Sequence, residues 1–265
     1  MLKYFLNKSK TSLANKESIF IHIPKCGGST FVGLLMDSIK PQNFDSTIPT
    51  HKINKVGNTK IMHVDFNTRE RKFKAPSIFN PNKNQEFIDS QLFILFRDPV
   101  ERIVSEFNFQ YHILNGKNGD QKAALLSKLK RRPNSIEEYI EYKETQNYQI
   151  KFLLGKPLGY AKNISTNDFK TIIKTIEDLP IHCGIVSQYA SFLNLFEKKT
   201  GIKLKKKVLV RKKTPFLYFN PISEATKKRI IALNKFDHQL FEYAKEKMVV
   251  NKNKFIFQEK DQFIV

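Results

Sequence analysis

Apolar positions along the chain fall into short blocks of two kinds. A brief run at 19–23 predicts a strand, and Leu-Phe-Ile-Leu-Phe at 92–96, apolar without alternation, predicts one buried on both faces. Further strands are expected near 60–64, at 182–186 and at 206–210. Elsewhere the spacing turns helical, giving helices at 29–39, 100–114, 121–130, 136–147, 167–178 and 188–199. Asp98 and Pro99 open the second of these, aspartate as N-cap and proline at the first helical position. Ser135 and Glu138 have capping-box spacing, Pro180 ends one helix and Gly201 closes another. Ser223 caps a last long helix with Ile230, Leu233, Phe236, Leu240, Tyr243 and Met248 at core spacing. Residues 40–90 read mostly as loop and polar stretch, with Pro41, Pro49 and Gly57 as breakers. Strand–helix alternation without an internal repeat argues an α/β fold in a single domain over 1–265.

Two of the strand ends carry chemistry. The first runs into Pro24-Lys25-Cys26-Gly27-Gly28-Ser29-Thr30. Gly27 and Gly28 let the backbone turn with N–H groups pointing inward, and the next helix adds N-terminal donors and its positive dipole end. Ser29 and Thr30 supply hydroxyls and Lys25 a point charge, so phosphate or sulfate is the natural ligand. Arg97 stands at the C-terminal end of the strand at 92–96, where open α/β sheets bind ligands. Ser105 follows eight residues later, roughly two helical turns on. A guanidinium fork beside a hydroxyl suits a second phosphate.

Neither common nucleotide loop fits. A Walker loop places its lysine after the glycines with a hydroxyl beside it, whereas Lys25 precedes Gly27 and no Gly-Lys-Ser/Thr string occurs. The Rossmann G-x-G-x-x-G fingerprint is absent as well.

The two segments together, I-P-K-C-G-G-S-T-F at 23–31 and F-R-D-P-V-E-R-I-V-S at 96–105, resemble the paired cofactor signatures of sulfotransferases that use 3′-phosphoadenosine 5′-phosphosulfate. The likeness is greatest to the carbohydrate branch, which includes heparan sulfate and uronyl 2-O-sulfotransferases and their bacterial relatives. N-Y-Q-I-K-F-L-L-G at 147–155 is similar to that family's N-x-Q-x-R-x-L-x-G segment, and 182–196 to one of its strand–helix units. V-R-K-K-T-P-F at 210–216 resembles its basic loop beside the adenosine, bringing in Arg211 and Thr214. The resemblance covers roughly 19–248. It implies a P-loop-like three-layer sandwich with a central, mainly parallel sheet. It also implies that Lys25, Gly27, Gly28, Ser29 and Thr30 hold the 5′-phosphosulfate and that Arg97 and Ser105 hold the 3′-phosphate. Cys26 stands where the family has threonine, which removes one expected hydroxyl donor, and Ser187-Gln188 replaces a Thr-Glu pair.

Charge changes the picture of the partner. The chain of 265 residues carries a formal +21, and residues 203–213 hold seven basic side chains and no acidic one. A cofactor with several negative charges, an acidic glycan acceptor and nucleic acid are the competing polyanions. No helix–turn–helix, RNA-recognition or zinc signature is evident, so nucleic acid is the weakest of the three. Two cysteines, Cys26 and Cys183, do not make a disulfide framework, and no metal-ligand spacing is visible. In the anion loop Cys26 is open to a lowered pKa from Lys25 and nearby N–H groups, or is a small residue filling a tight turn. No apolar run approaches the ~20 residues of a membrane span. Golgi members of the family carry an anchor and stem; without either, a soluble cytoplasmic enzyme is expected, and abundant Lys, Asn, Ile and Phe suit an AT-rich microbial genome.

Sulfuryl transfer to a hydroxyl needs a base, and histidine is best matched to neutral pH. Of six histidines, His63 lies at an expected strand end between the two phosphate motifs. I-M-H-V-D-F at 61–66 looks like the family's G-H-V/F-x-F catalytic stretch, so the resemblance assigns the base to His63, with Met62 in place of the glycine. His51 is the reserve, Asp65 a possible orienting carboxylate, and His22 a structural residue. The expected reaction is in-line displacement onto a glycan hydroxyl, with Lys25 and the loop amides stabilising the leaving oxygen. The alternatives are a P-loop-type small-molecule kinase and a non-enzymatic polyanion-binding or nucleic-acid-binding protein.

Overall fold

The computed structural model describes residues 17–39, 55–62, 65–67, 72–74, 87–115, 133–156, 159–205 and 221–260. Its strands are β1 (Ser18–Ile21), β2 (Lys55–Val56), β3 (Thr59–Met62), β4 (Asp65–Asn67), β5 (Lys72–Lys74), β6 (Gln91–Phe96) and β7 (Ile181–Ile185). Its helices are α1 (Gly28–Ile39), α2 (Pro99–Asn115), α3 (Ile136–Glu141), α4 (Tyr148–Leu153), α5 (Thr166–Asp178), α6 (Tyr189–Thr200), α7 (Glu224–Leu233) and α8 (Lys235–Lys260). Five strands form one sheet in the order β2-β3-β1-β6-β7, while β4 and β5 pair separately. β1 lies parallel to both β3 and β6, with Phe20 opposite Ile61 on one side and Phe93 on the other. β7 continues the parallel set beyond β6, and only β2 runs antiparallel at the edge.

Side chains alternate across a strand, so each strand feeds two cores. Ile19, Ile21, Leu92, Ile94 and Phe96 pack with Ile150 and Phe152 of α4, Ile172 and Ile176 of α5, and Leu240 and Phe241 of α8. Phe20, Phe93 and Leu95 point the other way, onto Phe31, Val32 and Leu35 of α1 and Phe192 and Phe196 of α6. Phe20 and Phe31 approach to 4.4 Å between ring centroids, and Phe93 meets Phe196 edge-on at 4.8 Å. Each fully buried ring contributes about 1.5–3 kcal/mol of transfer free energy, which makes this aromatic layer the anchor of α1. The result is a three-layer sandwich around a mostly parallel sheet: the strand–helix alternation predicts the α/β class, and the layering is what the family resemblance implies.

Several expected boundaries move by one or two residues, and a few elements change. The helix expected at 136–147 stops at Glu141, because Thr145 Oγ1 donates to the carbonyls of Tyr139 and Tyr142. Gln146 Nε2 takes the Ile140 carbonyl at 3.0 Å, and a separate short helix, α4, begins after Asn147. Only half of the Ser135–Glu138 capping box forms: Ser135 Oγ accepts from Glu138 N, but the Glu138 carboxylate accepts from Asn134 N. The reciprocal box occurs instead at Ser165 and Asp168, ahead of α5. Ser223 caps its helix by accepting from Thr226 N, yet that helix breaks at Asn234 into α7 and α8. Asn234 Nδ2 holds the Ile230 carbonyl while its Oδ1 accepts from Asn147 N at 2.7 Å, which turns the chain. β2, β4 and β5 were not anticipated within 40–90. The helix expected at 121–130 and the strand at 206–210 lie outside the described residues.

The strand order decides where a ligand fits. β1 connects through α1 to β3 on one side, and β6 connects through α2 and later helices to β7 on the other. Neighbouring strands whose connections diverge leave a crevice at their C-terminal ends, the preferred ligand position of open α/β sheets. The segment 22–28 leaves β1 at that end, and Arg97 leaves β6 there.

Candidate active site

The turn after β1 is built on two left-handed residues. Lys25 has φ 68° and Gly27 φ 76°, and Lys25 and Asn147 are the non-glycine residues with positive φ among those described. A lysine held there costs roughly 1–2 kcal/mol against ordinary backbone, so the surrounding contacts impose the turn. Cys26 N donates to Ile23 O at 3.2 Å, and Thr30 N and Phe31 N return to Gly27 O. Tyr189 donates its hydroxyl to the same Gly27 oxygen at 3.1 Å from the start of α6. Gly28 opens α1, and a Cβ there would fall on Cδ2 and Nε2 of the His22 imidazole. Glycine at 28 therefore lets the N-terminus of α1 sit directly against β1, bringing its donors and dipole to the crevice.

Arg97 meets that turn from the neighbouring strand. Its Nη1 donates to the Lys25 carbonyl oxygen at 3.2 Å, and its Nε pairs with Glu101 Oε2, also at 3.2 Å. Asp98 Oδ1 accepts from Val100 N and Glu101 N, the N-cap that the sequence predicts. Arg97, Glu101, Ser105 and Phe109 recur every four residues, so the last three form one row along α2. Lys25 Nζ lies 4.0 Å from the centroid of the Phe109 ring, a cation–π contact that carries the ammonium to the row bearing Ser105. Lys25, Gly27, Gly28, Ser29, Thr30, Arg97 and Ser105 thus belong to two adjoining loops and the two helices leaving them.

Cys26 decides between its two readings. Its side chain is buried, and Sγ donates to Gln149 Oε1 at 3.3 Å, so position 26 faces the interior rather than a ligand. Burial pushes the thiol up to about 12, opposed only in part by Arg102 and Arg97, so it is not activated. It is the small residue filling a tight turn. Cys183 is likewise buried, and burial raises its pKa to about 12.

Gln149 is the glutamine of the N-x-Q-x-R-x-L-x-G-like segment, but its role was not assigned; Glu101, Phe109 and Tyr189 were not singled out by the sequence, because each acts through a partner far away in the chain or one helical turn off. Under the loops, Arg102 is fully buried with its guanidinium 4.6 Å from the Tyr148 ring centroid and 3.8 Å from Glu106 Oε2. Among the histidines, His22 is buried beneath Gly28 and its backbone N donates to Met62 O. That bond brings the end of β3 beside the turn. The His182 ring lies tilted against Phe93, 5.0 Å between centroids. His63, His51, Arg211 and Thr214 lie outside the described residues, as does most of the 203–213 basic run. No helix among the described residues is long and apolar enough to cross a membrane.

Comparison with known proteins gives one finding beyond the geometry. The model of the sulfotransferase family matches residues 14–244, which include every strand and helix described above except the end of α8. A search of curated proteins finds no match. The matched span contains both turns, the paired strands that carry them and the helices that pack beneath. A transferase of sulfuryl groups is the reaction class this membership supports. On its sequence and its fold, the chain belongs to the sulfotransferase family.

Proposed function

We propose that the protein transfers the sulfuryl group of 3′-phosphoadenosine 5′-phosphosulfate to a hydroxyl of a glycan. One observation supports the reading: Arg97 Nη1 bonds the Lys25 carbonyl at the C-terminal ends of adjacent strands, so the two turns share a crevice. A donor with phosphates on the 3′ and 5′ positions of one ribose matches two such turns, and a single phosphate does not need both.

In this reading Lys25, Gly27, Gly28, Ser29 and Thr30 hold the 5′ end, with the α1 N-terminus complementing its charge. Arg97 and Ser105 hold the 3′-phosphate, and Arg211 and Thr214 flank the adenosine. The donor supplies a sulfur centre with a good leaving phosphate. His63, just past the β3 end that His22 N holds through Met62 O, takes the acceptor hydroxyl proton as that oxygen attacks. The Lys25 ammonium and the α1 amides stabilise negative charge growing on the departing oxygen. The net charge of +21 favours an acidic glycan over a neutral one by long-range attraction.

The test is a thermal-shift titration of the whole chain with adenosine 3′,5′-bisphosphate, followed by labelled sulfate transfer to a panel of glycans. Stabilisation by the bisphosphate and label on an acidic glycan are expected. His63→Ala abolishes transfer and leaves bisphosphate binding nearly intact. Wild-type turnover in that variant removes His63 from the mechanism, and magnesium-dependent ATP turnover without sulfate transfer replaces the reading with a kinase.

A further inference from the structure

We propose that Gln149 is a positioning residue that fixes the two anion-binding turns relative to each other, so that they grip one ligand as a chelate. The proposal rests on the donor reading above for the ligand's identity, though not for the clamp itself. Gln149 lies on α4, is fully buried, and bonds both turns through its carboxamide. Its Oε1 accepts from Arg97 N at 3.0 Å and from Cys26 Sγ at 3.3 Å, while its Nε2 donates to Arg97 O at 2.9 Å. The pairing of β6 with β1 is recorded to Ile94, and that with β7 to Phe96. Arg97 is therefore the first residue past the ladder, and the carboxamide bonds both its backbone groups as a neighbouring strand would. The third bond reaches the other turn, one residue after Lys25.

The clamp is itself held. Gln149 N donates to Asp237 Oδ2 and Ile150 N to Asp237 Oδ1, both at 3.0 Å, with Asp237 fully buried in the first turn of α8. Asn147 Oδ1 accepts from Phe236 N and Asp237 N, tying α4 to the start of the same helix. A chain of buried hydrogen bonds thus runs from α8 through Gln149 into both turns. A carboxamide offers an acceptor and a donor in one plane at that reach; ionised glutamate lacks the donor, and methionine lacks the donor and keeps only a weak sulfur acceptor. In a buried site each bond left unmade carries the full desolvation penalty, so substitution frees the turns. Two sites on one ligand reinforce each other only while their separation is fixed.

The experiment compares wild type, Gln149→Met and Gln149→Glu as full chains. Calorimetry measures adenosine 3′,5′-bisphosphate, adenosine 3′-phosphate and adenosine 5′-phosphate, and amide exchange is read at Arg97 and Leu95 without ligand. In Gln149→Met the bisphosphate weakens about a hundredfold, and either monophosphate by roughly a tenth of that factor or less. Gln149→Glu, which keeps the acceptor, falls between. Exchange at Arg97 N quickens about tenfold or more while Leu95, inside the sheet, is unchanged. Equal weakening of all three ligands, or an unaltered bisphosphate affinity, overturns the chelate. Unaltered exchange at Arg97 overturns the clamp. A wild type without preference for the bisphosphate sinks the donor reading instead, and the exchange measurement still judges Gln149.

Discussion

Arg97 donates from Nη1 to the carbonyl oxygen of Lys25 at 3.2 Å, across 72 positions of sequence. With Nε given to Glu101, two of the five guanidinium donors bond partners among the described residues, and together they set the plane of the fork. A lysine cannot reproduce this, since its ammonium has no fixed plane.

Arg97→Ala and Arg97→Lys should both weaken adenosine 3′,5′-bisphosphate by roughly tenfold to a hundredfold, the worth of a charge-assisted hydrogen bond. Adenosine 5′-phosphosulfate, which has no 3′-phosphate, should respond much less. Calorimetry with both ligands checks this. Parallel losses would contradict the assignment of Arg97 to the 3′ end.

Gly28 and His22 share one volume. Gly28→Ala drives a methyl into the imidazole and should cost about 1–3 kcal/mol in urea unfolding, the usual range for overpacking. Adding His22→Ala opens that space, so the double variant should lose less than the two single losses summed. Strict additivity would mean that the turn relaxes elsewhere.

The turns themselves were legible because their chemistry restricts residue type. A lysine, two glycines and hydroxyls after a strand, or Arg-Asp-Pro after an apolar run, leave few other readings. The layers were legible for a similar reason: 92–96 is apolar at every position and feeds both cores. What joins the turns was not legible. Nothing in the local pattern around 149 shows that this glutamine meets Arg97 and Cys26, and the inward direction of Cys26 depends on the left-handed φ of Lys25. The helix breaks at 142 and 234 were hidden too. At 142 the break is made by local side-chain bonds from Thr145 and Gln146 to preceding carbonyls, which the helical spacing does not reveal, and at 234 Asn234 meets Asn147 N across the fold, a contact only tertiary structure creates.

Asn147 offers a direct test of one such break. It holds φ 48° and ψ 44°, and its side chain serves the α7–α8 junction through Leu233 O, Phe236 N and Asp237 N. Asn147→Ala should cost about 2 kcal/mol, about half for the lost side-chain bonds and half because alanine lacks asparagine's tolerance of the left-handed region. Asn147→Gly keeps the backbone comfortable and should lose only about 1 kcal/mol. Denaturant unfolding separates them, and equal losses would show that the backbone carries no strain there.

Stability should also respond to acid through His182. Burial against Phe93, with Lys199 adding repulsion, lowers its pKa from 6.5 to about 4. The unfolded chain therefore binds the proton more readily than the folded one between those values, so stability rises with pH across that window. The contribution is complete above pH 6.5 and lost as pH falls toward 4. His182→Phe keeps a ring on Phe93 and removes the titration. Urea midpoints taken at pH 7 and 4.5 should differ less in that variant than in wild type. An unchanged difference would place the acid sensitivity on carboxylates instead.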